Sequence, residues 1–398
     1  MKLSIIIPVY NRLPLTLRCI ESIEKNSYYF HHLEVIIVDD GSDDGTESYF
    51  TDFAGKNDWL VYHRNPENMK FAGACNAGAA LARGHLLAFL NNDTVVTQNW
   101  DKILANALEN DPETWMAGAK MLFPDRTIQH AGVYLPALNG FSFGHVYRLF
   151  PSDFPPANVE KELQCVTAAC IMMRKEEFDG LGGFDTGFLN GSEDIDLCLR
   201  INYLGKKIKY IPGCEIIHYE SQSEGRLTYS RQNAARLAER WGNRVRPDFK
   251  EKVIEDITNC LSAGSIKREV CFGTENKWEG LSGINEHLIE NPDGSLVWSW
   301  LRDTPHPVKI HTEQTIKNKR LFLWIDGHSM DSSTIKIKYV DSQSDDGPGH
   351  HLGGHNIRPG DNQILIYLGD NLKSNQLEII AISKKLEFEL VSLSFYSF

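Results

Sequence analysis

The sequence predicts an α/β fold: a mostly parallel sheet with helices on both faces, followed by an all-β, sandwich-like domain. Three observations predict it. Apolar, strand-length runs alternate with helix-period segments over roughly the first 120 residues, as expected of a parallel sheet covered by helices. Several of these runs end in polar clusters: Tyr10-Asn11, Asp39-Asp40-Gly41-Ser42 and Asn91-Asn92-Asp93. Beyond about residue 265 the helical period gives way to short alternating strands separated by turn signals. At 398 residues the chain accommodates two domains of ~100–200 residues each.

The elements follow in order. Leu3–Val9 is a β-branched apolar strand ended by Pro8 and Asn11. Leu13, Leu17, Ile20 and Glu24 recur at helical spacing, with Pro14 suited to a first helical turn. Glu34–Val38 and Trp59–His63 are the next strands, Phe71–Arg83 is an Ala-rich helix, and His85–Leu90 is a fourth strand. A helix over Thr97–Glu109 comes next. Between 120 and 165, Pro124, Pro136, Pro151, Pro155 and Pro156 break any period, so long loops are expected, of the kind that form lids or acceptor-binding segments. Order resumes with strand Cys165–Met173, helix Lys175–Leu181, a Gly182-Gly183 turn, and a helix capped by Ser192 that carries Ile195, Cys198 and Leu199 on one face. Strand Lys207–Ile211 and helix Ser230–Trp241 complete a domain of residues 1–245. A linker is expected over 246–264 and a β-rich domain over 265–398, where Ile335, Ile337 and Tyr339 alternate with lysines, Leu386, Phe388 and Leu390 with glutamates, and Asn291-Pro292-Asp293-Gly294 marks a turn.

The composition is that of a folded protein, with 42% hydrophobic and 24% charged residues. A formal net charge of −12 argues against nucleic acid as a partner, because phosphate backbones require a basic face. The eight cysteines (19, 75, 165, 170, 198, 214, 260 and 271) are scattered, without a C-x-x-C pair, and read as reduced, mostly buried thiols. No run resembles a signal peptide or approaches the ~20 apolar residues of a transmembrane helix. The expected location is cytoplasmic, with any association at the inner membrane face peripheral.

In open α/β sheets ligands bind beyond the carboxyl ends of the strands, where the three polar clusters fall. Asp93 there can hold a divalent cation that bridges phosphates, or the cluster can be a turn before the next helix. Asp39 and Asp40 can accept hydrogen bonds from a base or ribose, or serve as an Asx turn and cap. Glu193 and Asp194 open a helix; either can be a general base, or both can complement the helix dipole. Asp196 and Arg200, four apart, form a structural pair. His218, after a strand, can complete a metal site with Asp93 or be an ordinary hydrogen-bonded histidine. Arg226 can clamp a diphosphate.

Together these segments resemble glycosyltransferase family 2, whose catalytic domain has the GT-A fold. The matching pieces are Ile6–Asn11, Val38–Thr46, Asn68–Gly78, Leu90–Thr94 and Gly191–Arg200, in the family's order across residues 1–240. The resemblance implies an inverting, metal-dependent transfer of a sugar from a nucleoside-diphosphate-sugar, UDP- or dTDP-linked, to a hydroxyl of a glycan or lipid-linked glycan in surface polysaccharide or glycoconjugate synthesis. It implies that Pro8, Tyr10, Asn11, Asp39 and Asp40 line the nucleotide pocket, with Gly73, Asn76 and Asn92 near the donor. It implies Mn²⁺ or Mg²⁺ on Asp93 and His218, and Asp194 as base with Glu193 as its rival. Two departures stand out. The metal motif is Asn-Asn-Asp instead of Asp-x-Asp, which raises the demand on His218, and Lys70 stands where many relatives have glycine. Two further readings are a nucleotidyltransferase acting on sugar phosphates, which would usually carry a Gly-rich basic loop after the first strand, and a non-catalytic sugar-binding protein. In the β-rich part, Trp298 and Trp300 share a strand face, either stacking on sugar rings or filling a core, and His350, His351 and His355 read as a Gly-rich loop. That domain is expected to orient a glycan acceptor or to mediate assembly into an oligomer.

Overall fold

The computed structural model describes residues 2–135, 143–219 and 228–273, and then the strand segments 281–282, 288–290, 296–300, 308–312, 321–329, 333–339, 350–357, 360–369, 376–381 and 386–398. The chain divides into two compact units, Met1–Arg246 and Pro247–Phe398.

The first unit opens with β1 (Leu3–Val9), α1 (Leu13–Asn26), β2 (Leu33–Asp39), α2 (Thr46–Ala54), β3 (Leu60–Arg64), α3 (Lys70–Leu81) and β4 (Leu86–Leu90). It continues through β5 (Thr94–Val96), α4 (Trp100–Glu109), β6 (Thr114–Leu122), β7 (Ile128–His130), β8 (Val133–Tyr134), β9 (Gly144–His145), β10 (Lys161–Glu162), β11 (Cys170–Arg174), α5 (Lys175–Gly180), α6 (Glu193–Tyr203), β12 (Lys207–His218) and α7 (Ser230–Trp241). The main sheet runs β10-β12-β6-β11-β4-β1-β2-β3. β1 pairs in parallel with both β2 and β4, and β3 extends the parallel block beyond β2. β11 is antiparallel to β4 and β6, whereas β12 is parallel to β6.

Burial explains the unbroken apolar runs. Leu3, Ile5, Ile6 and Ile7 of β1 and Val35–Val38 of β2 are wholly buried, because helices cover both faces of the block. Residue size explains the Ala and Gly content of α3. A Cβ on Gly78 would lie 2.5 Å from Ile6 Cγ2 and 3.0 Å from Val38 Cγ2, so this helix rides directly on β1 and β2. Two buried polar side chains at the amino ends of these strands are satisfied. Ser4 Oγ donates to Glu34 Oε1 at 2.7 Å, and Arg83 Nε donates to Glu34 Oε2 at 2.8 Å.

Several expectations are corrected. Thr94–Val96 is a β-branched strand paired with β12, so α4 begins at Trp100 rather than Thr97. The described residues between 120 and 165 hold more regular structure than the prolines suggest: β6 runs to Leu122, β7 to β10 follow, and Tyr147, Phe150 and Phe154 pack ring against ring. Ser192 precedes α6 but makes no side-chain cap bond; its φ of 71° turns the side chain away from that role. Cysteines 19, 75, 165, 170, 198, 214 and 260 are buried thiols that form no disulfide.

The second unit contains α8 (Phe249–Ser262), inside the stretch read as a linker. Its strands form two antiparallel sheets. One runs Leu288–Glu290, Leu296–Trp300, Leu386–Ser397, Leu321–Ser329 and Gly360–Gly369, with Lys267–Gly273 also on Leu386–Ser397. The other runs Leu281–Ser282, Val308–Thr312, Gln376–Ala381, Ser333–Tyr339 and His350–Ile357. His350, His351 and His355 therefore belong to a strand, not a loop. The turn 291–294 lies outside the described residues.

The Gly78 contact makes a sharp test. Gly78→Val should destabilise the first unit by about 1–3 kcal/mol through overpacking, read as a lowered melting temperature; an unchanged melting curve would mean that α3 does not ride on β1.

Candidate active site

Because β1 lies between β2 and β4, the strand order reverses beside it, and the loops after β1, β2 and β4 leave the same sheet edge. This is the switch-point geometry at which open α/β sheets form ligand crevices. The ladder continues past the strand ends, with Asp40 N donating to Val9 O at 2.8 Å and Asn65 N to Asp39 O at 2.8 Å.

The carboxylate of Asp39 is buried and fully engaged. Oδ2 accepts from Tyr62 Oη and Arg64 Nη1, both at 2.6 Å, and Oδ1 accepts from Ser42 N at 2.8 Å. Burial pushes the Asp39 carboxyl up, but the bonds from Tyr62 and Ser42 and the Arg64 charge outweigh it and hold the group below the usual carboxylate range. Asp40 acts as a helix cap: Oδ1 accepts from Asn65 Nδ2 and Met69 N at 2.8 Å, and Oδ2 from Lys70 N at 2.9 Å. Lys70 itself has φ 62°, a left-handed conformation that glycine adopts more freely than lysine. Asn11 (φ 59°) ties the β1 loop to the β2 loop, its N donating to Ser42 Oγ and its Oδ1 accepting from Asp43 N, each at 2.8 Å. Tyr10, at the end of β1, is 54% exposed.

After β4, Asp93 and His218 meet. Nε2 of His218 lies 3.0 Å from Asp93 Oδ1, with the side chains only 7% and 12% exposed. The other ring nitrogen, Nδ1, is 2.6 Å from Gln129 Oε1, and Asn91 Nδ2 is 3.3 Å from Nε2. The strand β12 delivers His218, because Ile216–His218 pair with Val96–Thr94 of β5 directly after the Asn91–Asp93 turn. Asn92 turns the other way: its Nδ2 donates to Thr16 Oγ1 of α1 at 2.9 Å.

The start of α6 borders the same edge. Asp194 Oδ2 accepts from Ala168 N at 3.2 Å, while the adjacent Ala169 O accepts from Asn91 N at 3.0 Å. The segment 168–169 therefore links Asp194 to the turn that carries Asp93. Ile195 faces the core, as its spacing requires, and Glu193 is buried with Oε2 accepting from Gly191 N at 2.6 Å. Asn190, Gly191 and Ser192 all have positive φ, and Asn233 of α7 holds this bend by donating to Leu189 O and Gly191 O at 2.9 and 2.8 Å. Asp196 pairs with Arg200 at 2.8 Å, as four-residue spacing predicts, and also accepts from Trp241 Nε1.

The remaining sequence-named residues have structural partners. Asn76 clamps the Gly182–Asp185 turn, donating to Phe184 O at 2.8 Å and accepting from Phe184 N at 2.9 Å. Gly73 is buried where a Cβ would meet Met69 Cβ at 2.7 Å, and Pro8 is half-buried on β1 opposite Val38. Arg226 lies outside the described residues. Gln129, Asn233, Tyr62, Arg64 and the 168–169 segment were not singled out by sequence, because each acts through a long-range contact with no local motif. Among the described residues no group of three His, Cys, Asp or Glu side chains could hold a metal, so the protein offers the pair Asp93 and His218.

A parallel-centred sheet whose polar loops leave one edge at a switch point is the architecture of GT-A glycosyltransferase domains. Residues 4–181, most of the first unit, match the family model Glycosyl transferase family 2. The uncharacterized protein y4gI of Sinorhizobium fredii is 33% identical over 229 residues, 56% of this chain and 25% of that protein. The O-antigen biosynthesis protein RfbC of Myxococcus xanthus is 29% identical over 322 residues, 73% of this chain and 24% of that protein. The match thus spans about a quarter of these two relatives. The Campylobacter jejuni GalNAc(5)-diNAcBac-PP-undecaprenol beta-1,3-glucosyltransferase is 29% identical over 184 residues, 45% of this chain and 56% of that protein. The crystal structure of GalNAc-T7 with UDP, GalNAc and Mn2+ shares the fold, with a TM-score of 0.50 at 15% identity over 74% of this chain and 71% of that one.

The lowered pKa of Asp39 carries a pH prediction. A carboxyl depressed in the folded state contributes stability that is present above its unfolded value of about 3.9 and is lost as pH falls through the lower folded value. Asp39→Asn should therefore melt earlier at neutral pH and flatten the decline in melting temperature below about pH 4; an unaltered acid slope would show that Asp39 is not the group responsible.

Proposed function

We propose that the first unit transfers a glycosyl group, with inversion at the anomeric carbon, from a nucleoside-diphosphate-sugar to a hydroxyl of a glycan or lipid-linked glycan. UDP- and dTDP-sugars are the proposed donors. The observation that supports this reading best is the meeting of Asp93 and His218 at 3.0 Å on the switch-point edge, with Asp194 bonded to the segment that also holds the neighbouring turn. The names of the relatives, one in O-antigen biosynthesis and one acting on an undecaprenol-linked glycan, point to surface polysaccharide or glycoconjugate synthesis. No described helix is long and apolar enough to cross a membrane; we assign the domain to the cytoplasm, with peripheral approach to the inner membrane face.

In this proposal Asp194 is the general base. Bonds from Ile195 N to Oδ1 and Ala168 N to Oδ2 hold its carboxylate in one orientation, ready to take the proton of an acceptor hydroxyl as that oxygen attacks the anomeric carbon. Glu193 is the weaker candidate, since its carboxylate is buried and bonded to Gly191 N. Tyr10 offers an exposed ring to the base, and Asn11, Asp39 and Asp40 fix the loops that wall the nucleotide site. Gly73, Asn76 and Asn92 shape the donor side, and Arg226 is assigned to the diphosphate. Asp93 and His218 would hold Mn²⁺ or Mg²⁺, a carboxylate-imidazole donor set suited to such ions. When bound, the cation neutralises charge on the departing diphosphate. The second unit is proposed to orient a glycan acceptor or mediate oligomer assembly.

A screen of nucleotide-sugars for Mn²⁺-dependent release of nucleoside diphosphate tests the proposal; no release from any donor sinks it. Asp194→Asn should lower turnover by at least ~100-fold while calorimetry finds donor binding intact. Asp93→Ala should instead weaken Mn²⁺-dependent donor binding about tenfold or more, and unchanged binding would remove Asp93 from the cation site.

A further inference from the structure

We propose that Gln129 is a positioning residue that locks His218 in the Nδ1–H tautomer, so that the bare Nε2 lone pair faces Asp93. The inference rests on the cation reading above and extends it to a residue outside every motif of the family resemblance.

The assignment follows from donor and acceptor logic. The side chain of Gln129, almost wholly buried, brackets His218 twice: its Nε2 donates to the His218 backbone O at 3.3 Å, and its Oε1 lies 2.6 Å from His218 Nδ1. A backbone carbonyl only accepts, so the amide end facing it must be the NH₂. The opposite end is then the carbonyl oxygen, which also only accepts, so His218 Nδ1 must carry a proton. A neutral ring protonated there has no proton on Nε2. That nitrogen faces Asp93 Oδ1 at 3.0 Å, an acceptor against an acceptor. A cation held between the two groups would satisfy both acceptors. In its absence the Asn91 amide, 3.3 Å from Nε2, supplies a donor. Histidines that bind metals commonly donate their second ring N–H to a fixed acceptor, which sets the tautomer and raises ligand basicity.

The backbone places Gln129 for this purpose. In the β6–β7 pairing Met121 is opposite His130 while Leu122 is opposite Ile128, so Gln129 is the extra residue of a bulge. A bulge re-aims a side chain that regular alternation would send elsewhere. The turn before it is tightened by Asp125, which accepts from Thr127 N and Thr127 Oγ1 at 2.9 and 2.7 Å. His130, next in sequence, is buried beneath, 3.1 Å from His145 through the Nδ1 atoms.

The test uses the full chain without metal, labelled with ¹⁵N-histidine, and reads the ring nitrogens of His218 by long-range ¹H–¹⁵N correlation at a pH where the ring is neutral. Wild type should be protonated at Nδ1, and Gln129→Met should give a mixture of tautomers. Mn²⁺ titrated against each protein, with free ion read by electron paramagnetic resonance, should bind the variant about 10–100-fold more weakly. Gln129→Glu, which keeps an acceptor for the Nδ1 proton, should recover part of that loss. A wild-type His218 protonated at Nε2, or a folded Gln129→Met with unchanged tautomer and Mn²⁺ affinity, overturns the proposal. Should Gln129→Met fail to fold, the wild-type spectrum alone still decides the tautomer. A wild type with the stated tautomer that binds no Mn²⁺ overturns the cation reading while upholding the control of His218 by Gln129.

Discussion

Parallel pairing of β1 with β2 on one side and β4 on the other is the constraint from which the rest of the first unit follows. Parallel strands all leave the sheet in the same direction, so the chain emerges three times along one short edge. The hydrogen bonds do not stop at the strand ends: Asp40 N reaches Val9 O, and Asn91 N reaches Ala169 O of the segment entering β11. Backbone geometry thus carries the side chains at 10–11, 39–40 and 91–93 to one place before any of them makes a contact. The apolar strands behind them, covered on both faces, make the edge the natural place for polar chemistry.

Most of the polar side chains at this edge are fasteners. Asp40 caps α3, Asn76 clamps the turn at Phe184, Asn92 reaches back to Thr16, and Asn11 joins two loops. Each such bond contributes only about 0.5–1.5 kcal/mol net, but a buried partner left unpaired costs about 1–3 kcal/mol. The loops are consequently held in one arrangement, several at strained positive φ such as Asn11, Lys70 and Asn190–Ser192. Loops fastened in this way lower the cost of bringing reacting groups into line. Among the described residues Asp93 and His218 differ from these fasteners in meeting one another, with Nε2 3.0 Å from Oδ1.

The alternation of strand and helix in the first half was legible because buried parallel strands must be largely apolar, as β1, β2 and β4 are. The polar strand ends were legible for the same reason, as interruptions of an otherwise apolar pattern. Local reading failed where tertiary contacts decide. Thr94–Val96 forms a strand only because β12 lies beside it, and the proline-marked region after β6 is ordered by aromatic packing among Tyr147, Phe150 and Phe154. At the candidate site, acidic residues were visible but their tasks were not. Nothing local distinguishes Asp40, whose oxygens meet Asn65, Met69 and Lys70, from Asp93, whose oxygen meets a histidine 125 positions away along the chain. Gln129 and Asn233 were invisible for a related reason: an amide carries no signature of its function until its partners are known.

The Asn-Asn-Asp sequence after β4 changes the electrostatics of the edge in a definite way. Where an Asp-x-Asp motif would set two carboxylates around a cation, this chain sets one carboxylate, one imidazole and the neutral amide of Asn91. A divalent ion held by Asp93 and a neutral His218 would retain about one uncompensated positive charge, and burial makes that charge costly to leave unmatched. The diphosphate of a nucleotide-sugar would, on the proposed reading, supply the missing negative charge. On the proposed reading, cation and donor therefore bind as a thermodynamically coupled pair, each strengthening the other by the same factor. A site with a full set of protein carboxylates would hold its ion more tightly in the absence of donor; on the proposed reading this one would hold the ion weakly alone and more tightly once the donor is bound.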